Sequence, residues 1–339
     1  MSVDKVTVEV IRNACIFIAE EMGIVLRRTA YSPNIKDRLD MSCAIFSSRG
    51  ELVAQAEHIP VHLGSMTVCV ENTLKYLDEK GVSLSEGDVV IVNDPYIAGT
   101  HLNDITLIKP FYFKGELAGF IVNKAHHVDV GGKTPGSINP MAKSLYEEGV
   151  VIEPVKIVEK GELNRRVLEE LLGNVRVPEY TKGDIKAQLA SLNVGERRME
   201  EIFNKYGYST VIEAWSMVLD YGERYLLEKL RKVRGGTYSA VDFLEYGEEL
   251  LKLKCTLNIS SNMVIIDFKG SSKQVDAPIN AVYGVTYSAS CYAVKSILDP
   301  DLPMNHGILR RLRVEASLGS IVNPIKPAPV AAGNLETSQ

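Results

Sequence analysis

At 339 residues, with 45% hydrophobic and 24% charged side chains, the chain has a soluble globular composition and exceeds what one compact core ordinarily holds. Its formal net charge of −5 excludes the basic footprint of a nucleic-acid or anionic-membrane binder. No apolar run reaches membrane-spanning length, the N-terminus lacks a secretory pattern, and the five scattered cysteines have no redox or zinc-finger spacing, which predicts buried thiols in a reducing cytoplasm.

In chain order, Thr7 is the expected N-cap of a helix reaching about Arg28, with Val10, Ala14, Phe17, Ile18 and Met22 as its core-facing stripe. Pro33 prevents its continuation. Asp40 to Phe46 then reads as a short buried strand. A carboxylate at the entrance of such a strand needs a positive partner: a metal, or Arg38 or Arg27. His58 and His62 stand four apart, but Pro60 between them rules out a helical two-histidine zinc motif. His62 is the member expected to reach the main cluster. Ser65 is the expected cap of a helix to about Glu79, and Gly87 to Asn93 reads as a short buried strand.

The chemistry concentrates between Ile91 and Gly136, where His101, His126 and His127 stand among Asp94, Asp104 and Asp129. Imidazole with carboxylate is the ordinary ligand set of a divalent zinc, manganese or iron ion. Glu116 to Ala125 reads as a buried strand. Extended as far as Asp129, its two-residue period puts His127 and Asp129 on one face and His126 on the other. Gly99 to Asp104 suits a turn that aims His101 and Asp104 inward together, so a polar pair from each segment would complete a four-ligand site. The alternative is that these histidines are hydrogen-bonded core residues.

The loop from Ser137 to Gly149 is long and polar, and places Glu147 or Glu148 either at a substrate or in solvent. Helices are expected over Leu163 to Leu172, Asp184 to Tyr206 and about Thr210 to Val233, the last ended by Gly235 and Gly236. Alternating strands follow over Tyr238 to Tyr246, Leu251 to Ile259 and Met263 to Phe268. The predicted fold is α+β (mixed α/β). An N-terminal α/β lobe, 1–235, carries the site, and a C-terminal lobe, 236–339, contains an antiparallel sheet.

Several blocks together resemble the B-type subunits of ATP-dependent hydantoinases and oxoprolinases, a family that includes acetone carboxylase large subunits. They include Arg27-Arg-Thr-Ala-Tyr-Ser-Pro-Asn34, Asp40-Met-Ser-Cys-Ala44, His58-Ile-Pro-Val-His-Leu-Gly-Ser-Met66, Gly99-Thr-His-Leu-Asn-Asp104, His126-His-Val-Asp-Val-Gly-Gly132 and Pro329-Val-Ala-Ala-Gly-Asn334. Asn103 departs from the family's common proline, and the chain stops inside a block that the family continues, as the N-terminal part of a longer subunit would.

The resemblance implies a cytoplasmic hydrolase subunit acting on a hydantoin, 5-oxoproline or related lactam, in a hetero-oligomer with an A-type partner that binds ATP. A ketone carboxylase subunit and a non-catalytic docking fragment are the alternatives. It further implies His101, Asp104, His127 and Asp129 as ligands of a divalent metal (zinc, manganese or iron), with Asp40 and His126 competing for or supporting those places. His62 or His126 is the implied general base, because imidazole titrates near neutrality. No Walker-type phosphate loop occurs in the chain, so the ATP is assigned to the partner.

Overall fold

The computed structural model describes residues 3–56 and 58–339. Helix α1 (Lys5–Thr29) starts at Asp4, whose carboxylate accepts from the backbone N–H of Val6 and Thr7. Thr7, the expected cap, lies one turn in and donates its hydroxyl to that carboxylate. The buried stripe is Ile11, Cys15, Ile18, Met22 and Leu26, whereas Val10 and Phe17 are 44% and 64% exposed. Apolar residues occur on two adjacent faces of this helix, so periodicity alone did not decide which faces the core.

There follow α2 (Pro33–Lys36), β1 (Met41–Ser47), β2 (Leu52–Ala56), α3 (His62–Glu79), β3 (Val89–Val92) and α4 (Pro95–Ala98). Helix α3 starts at His62, three residues before the expected cap at Ser65, and has no side-chain cap. The hairpin β4 (Asp104–Phe113) and β5 (Glu116–His126) comes next, then β6 (Val155–Glu159), β7 (Glu162–Leu163), α5 (Arg165–Leu172), α6 (Pro178–Tyr206) and α7 (Tyr208–Leu230). The last third holds β8 (Gly236–Tyr246), β9 (Glu249–Ile259), β10 (Val264–Asp267), α8 (Tyr283–Leu298), α9 (His306–Leu309) and β11 (Leu312–Glu315).

The larger sheet has seven strands in the order β2-β1-β5-β4-β3-β6-β7, and all its pairs are antiparallel. Both faces are covered. Ile45, Ile105, Leu107 and Ile121 pack in one core with α1, α6 and α7, while Ala44, Ile108, Phe120 and Val122 pack in another with α3. This double burial explains why β4 and β5 read as continuous apolar runs rather than as alternation. In register, Asp104 faces His126 and Met41 faces Ala125, so the start of β4, the end of β5 and the start of β1 meet at one end of the sheet.

The smaller sheet runs β11-β10-β9-β8, with β10 and β11 parallel and the other pairs antiparallel. Its core of Val264, Ile266, Leu302 and Ile308 recruits Leu63 from α3 and Leu226 and Leu230 from α7. Packing therefore continues across residue 235. The fold is mixed α/β with antiparallel sheets, as the sequence predicted. Four of the five cysteines are buried and all are free. Among the described residues no helix is long and apolar enough to cross a membrane.

Candidate active site

Gly99 ends α4 in the left-handed region at φ 81°, where glycine carries no Cβ penalty, and turns the chain into the segment bearing His101. A Cβ on Gly284 would overlap the backbone of Gly99, so this contact also seats α8 beside the site. The turn brings His101 and Asp104 together as the sequence predicted, with Nε2 to Oδ1 at 3.2 Å. His126 joins them: its Nδ1 lies 3.0 Å from His101 Nε2 and 3.1 Å from Asp104 Oδ1. Asp40, immediately before β1, places Oδ2 3.7 Å from His126 Nδ1, and this replaces the expected pairing with Arg38 or Arg27.

The proton arrangement follows from the outer contacts. His101 Nδ1 lies 3.1 Å from the Ala331 carbonyl oxygen, which only accepts, so Nδ1 carries the hydrogen. In the neutral ring, Nε2 then turns a lone pair toward Asp104 Oδ1. His62 repeats the pattern behind Asp104. Its Nδ1 is 2.9 Å from Ser42 Oγ, whose own hydrogen goes to the Met41 carbonyl, so Nδ1 donates and Nε2 is bare. That Nε2 faces Asp104 Oδ2 at 3.6 Å, and neither atom has a hydrogen-bond partner among the described residues.

Lone pairs facing a buried carboxylate require a positive charge between them, either an extra proton or a cation. With protons alone, burial would lower the His101 pKa, but the charge and hydrogen bond of Asp104 raise it to about 9. Burial likewise works against ionised Asp104, and the neighbouring imidazoles hold it well below the usual carboxylate range. Two donor groups converge closely enough to share an ion: His101 with Asp104 and His126, and Asp40 with His62 and Asp104, each within 4.8 Å. The residues present thus fit a divalent cation in number, type and spacing.

The other expected ligands lie elsewhere. Strand β5 ends at His126, so the alternation assumed as far as Asp129 stops there. His127 points to the α6 side, where Nε2 meets Gln188 Oε1 at 3.0 Å; burial lowers its pKa. Asp129 receives the backbone N–H groups of Gly131, Gly136 and Arg176 and an ion pair from the Arg176 guanidinium at 2.9 Å. Four donors occupy its oxygens and fold the glycine loop. Burial would raise its pKa, but these bonds bring it below the usual value. His62 is 1% exposed and sits behind Asp104 rather than on the cavity wall, so the structure gives it no open path to a substrate proton.

Two participants were not assigned their structural places from the sequence. Lys124 is fully buried on β5, donating to the Ala98 carbonyl at 2.7 Å and to Thr100 Oγ1 at 3.3 Å. A lysine inside so apolar a run was the available signal. Glu148, expected at a substrate or in solvent, is 1% exposed and accepts from Val330 N and Ala331 N at 2.9 and 3.0 Å. Its carboxylate anchors the segment whose carbonyl orients His101. The same segment is tied by Lys326 to Asp94 at 2.6 Å, Tyr96 to the Ala328 carbonyl and Asn280 to the Pro329 carbonyl.

A cavity of about 760 Å³ opens on Asp40, His101, Asp104 and His126 and is otherwise walled mostly by apolar side chains. An imidazole–carboxylate cluster at the end of a doubly covered antiparallel sheet, facing such a cavity, defines a candidate small-molecule site.

The comparisons place the chain in a family. The family model for hydantoinase B/oxoprolinase matches residues 4–339, and the chain belongs to that family. It is 56% identical over 336 residues to an uncharacterized protein of Methanocaldococcus jannaschii, covering 99% of this chain and 60% of that one. It is 35% identical over 362 residues to 5-oxoprolinase 1 of Arabidopsis thaliana, covering 99% of this chain and 28% of the relative. The crystal structure of an ATP-dependent caprolactamase from Pseudomonas jessenii superposes with a TM-score of 0.90 at 32% identity, covering 98% of this chain and 57% of that one. The chain thus spans less than two thirds of the length of each.

Proposed function

We propose that this chain is the metal-bearing part of a B-type subunit of an ATP-dependent cyclic-amide hydrolase, acting on a lactam, hydantoin or 5-oxoproline ring activated by an ATP-using A-type partner. The observation that carries the reading is the convergence of His101 Nε2, His126 Nδ1 and Asp104 Oδ1 within 3.0–3.2 Å, with the outer hydrogen bond turning the His101 lone pair inward. His101, Asp104 and His126 would hold a divalent metal, with Asp40 as the adjoining carboxylate. A bound metal supplies a water of lowered pKa or polarises a carbonyl or phosphoryl oxygen.

The remaining roles belong to the chain's own residues. The Ala331 carbonyl and Ser42 Oγ fix the tautomers of His101 and His62. Buried Lys124 adds a positive charge that favours Asp104 as a carboxylate, and His62 offers its bare Nε2 beside Asp104 Oδ2 as a further donor atom. His126 is half-buried at the cavity wall, where its ring stands between the ligand cluster and a bound substrate. The apolar walls exclude water from the ring. His127 and Asp129 serve the fold of the neighbouring loop.

The experiment is reconstitution with an A-type partner and ATP, in parallel with candidate lactams and with acetone plus bicarbonate. The expected product is the ring-opened amino acid, formed with ATP consumption and lost in His101→Ala and Asp104→Asn. A carboxylated ketone as the only product would establish the carboxylase alternative, and full ring opening by His101→Ala would refute the assignment of the centre.

A further inference from the structure

The cavity over the centre has, besides its two histidines, one arginine and no lysine among its described lining residues: Arg38. Its backbone N–H donates to the Pro33 carbonyl at 3.1 Å, but its guanidinium makes no ion pair or hydrogen bond with a described residue. Arg176, Arg198 and Arg311 are ion-paired with Asp129, Glu21 and Glu223. Arg38, like the exposed Arg28 and Arg49, has no side-chain partner among the described residues, and what sets it apart is its place on the cavity wall next to Asp40. An unpaired guanidinium beside two carboxylates of an active cavity calls for a physical account.

The backbone provides a second observation. Leu39, between Arg38 and Asp40, adopts φ 58°, in the left-handed region that an ordinary L-residue rarely takes. Leu39 packs against the main core, and the backbone N–H groups of Asp40 and Met41 are bonded to Asn34 and Leu39 carbonyls. The surrounding structure therefore holds the strained conformer in place. Such strain concentrates at binding and catalytic positions. Here it lets Asp40 reach His126 while Arg38 lines the same cavity.

Charge decides what the guanidinium would bind. Asp40 and Asp104 repel anions, and a divalent ion only balances them. An anionic small molecule needs a further positive group at the wall, and a planar fork of N–H donors matches carboxylate and phosphoryl oxygens. We propose that Arg38 forms an oxyanion subsite of the cavity, binding the carboxylate or phosphoryl oxygens of a small anionic substrate or activated intermediate. This rests on the reading of the centre given above and adds a substrate class to it: ligands that bring an anionic oxygen group as well as the ring.

The test is calorimetric titration of the metal-loaded chain and its R38Q and R38K variants with three probes: inorganic phosphate, 5-oxoproline, and the uncharged ring 2-pyrrolidone. Metal content and thermal melting are measured on each protein. R38Q is expected to weaken phosphate or 5-oxoproline binding by about tenfold, the scale of one charge-assisted contact, with R38K between them and 2-pyrrolidone unaffected. A fall with phosphate identifies a phosphoryl group as the natural source, and a fall confined to 5-oxoproline identifies a ring carboxylate. Equal anion affinities in wild type and R38Q, or no binding of either anion by wild type at millimolar concentration, would overturn the subsite. Metal content reports separately on the centre: a chain that takes up no metal but binds anions through Arg38 would refute the ligand assignment and keep the subsite.

Discussion

Replacing Glu148 by alanine would remove the acceptor from two buried backbone N–H groups, those of Val330 and Ala331, both on residues 2% exposed. A buried donor left unsatisfied costs about 1–3 kcal/mol, so two give about 2–6 kcal/mol. Part of this is offset, because burial makes the carboxylate itself unfavourable and raises the Glu148 pKa to about 7. The net loss expected near neutrality is about 1–4 kcal/mol, a large share of a typical domain's stability. The raised pKa also fixes the sign of the pH dependence. The folded state holds the proton more tightly than the unfolded chain, so this contribution is full below the ordinary glutamate value of 4.5 and declines as pH rises through about 7. Glu148→Gln resembles the protonated acid and should lack that decline. Urea unfolding of chelated wild type, Glu148→Ala and Glu148→Gln at pH 5 and 8 measures each term. The alanine variant should also bind metal about 10–100-fold more weakly, since the Ala331 carbonyl would no longer hold His101. An alanine variant with wild-type stability and wild-type metal affinity would refute the anchoring role.

Other outcomes separate the centre from its surroundings. His127→Ala should keep wild-type metal content while losing stability, because its bond to Gln188 serves the α6 packing; atomic absorption alongside thermal melting reads both. Asp129→Asn should also keep the metal but open the 129–137 loop to protease, since four donors would lose a carboxylate acceptor. Its pKa is lowered, so its contribution is full above the ordinary aspartate value of 3.8 and vanishes as pH falls below it. His62→Ala should weaken metal binding by about 10–100-fold without abolishing it, as loss of a supporting partner does. The isolated chain should show no micromolar ATP binding in calorimetry, an affinity of about −8 kcal/mol.

Local pattern accounted for much of the fold. Strand β5, the helices after Arg165 and the antiparallel strands after Gly236 each lie within three residues of the expected span, except that α6 starts six residues earlier, at Pro178, and β4 was not anticipated as a strand. The site was legible as a neighbourhood but not residue by residue. The alternation argument correctly put His126 and His127 on opposite faces, since one meets Asp104 and the other Gln188. The cluster with His101 and Asp104 gathers on the His126 face and not on the His127 face, because nothing in the string His126-His-Val-Asp129 marks where the strand ends. That end is set by pairing with Asp104, the first residue of β4. Asp129 looked like a ligand because its hydrogen-bond donors are backbone N–H groups and an arginine 47 residues away.

The strap over the centre was invisible for a further reason. The Ala331 carbonyl that fixes the His101 tautomer lies 230 residues along the chain, and any residue type can offer a carbonyl. Such a contact leaves no side-chain signature. Its anchors do: Glu148, Asp94, Tyr96 and Asn280 each spend a buried polar group on the segment from Lys326 to Ala331. Buried polar side chains that bond distant backbone cost desolvation, and they contribute only when that backbone is in place. The centre therefore depends on the docked strap as well as on its own ligands. The two halves of the chain meet at His101, so the variant that tests the metal ligand and the one that tests the strap should both lower metal affinity, whereas only Glu148→Ala should do so with every ligand side chain still present, by orphaning Val330 and Ala331.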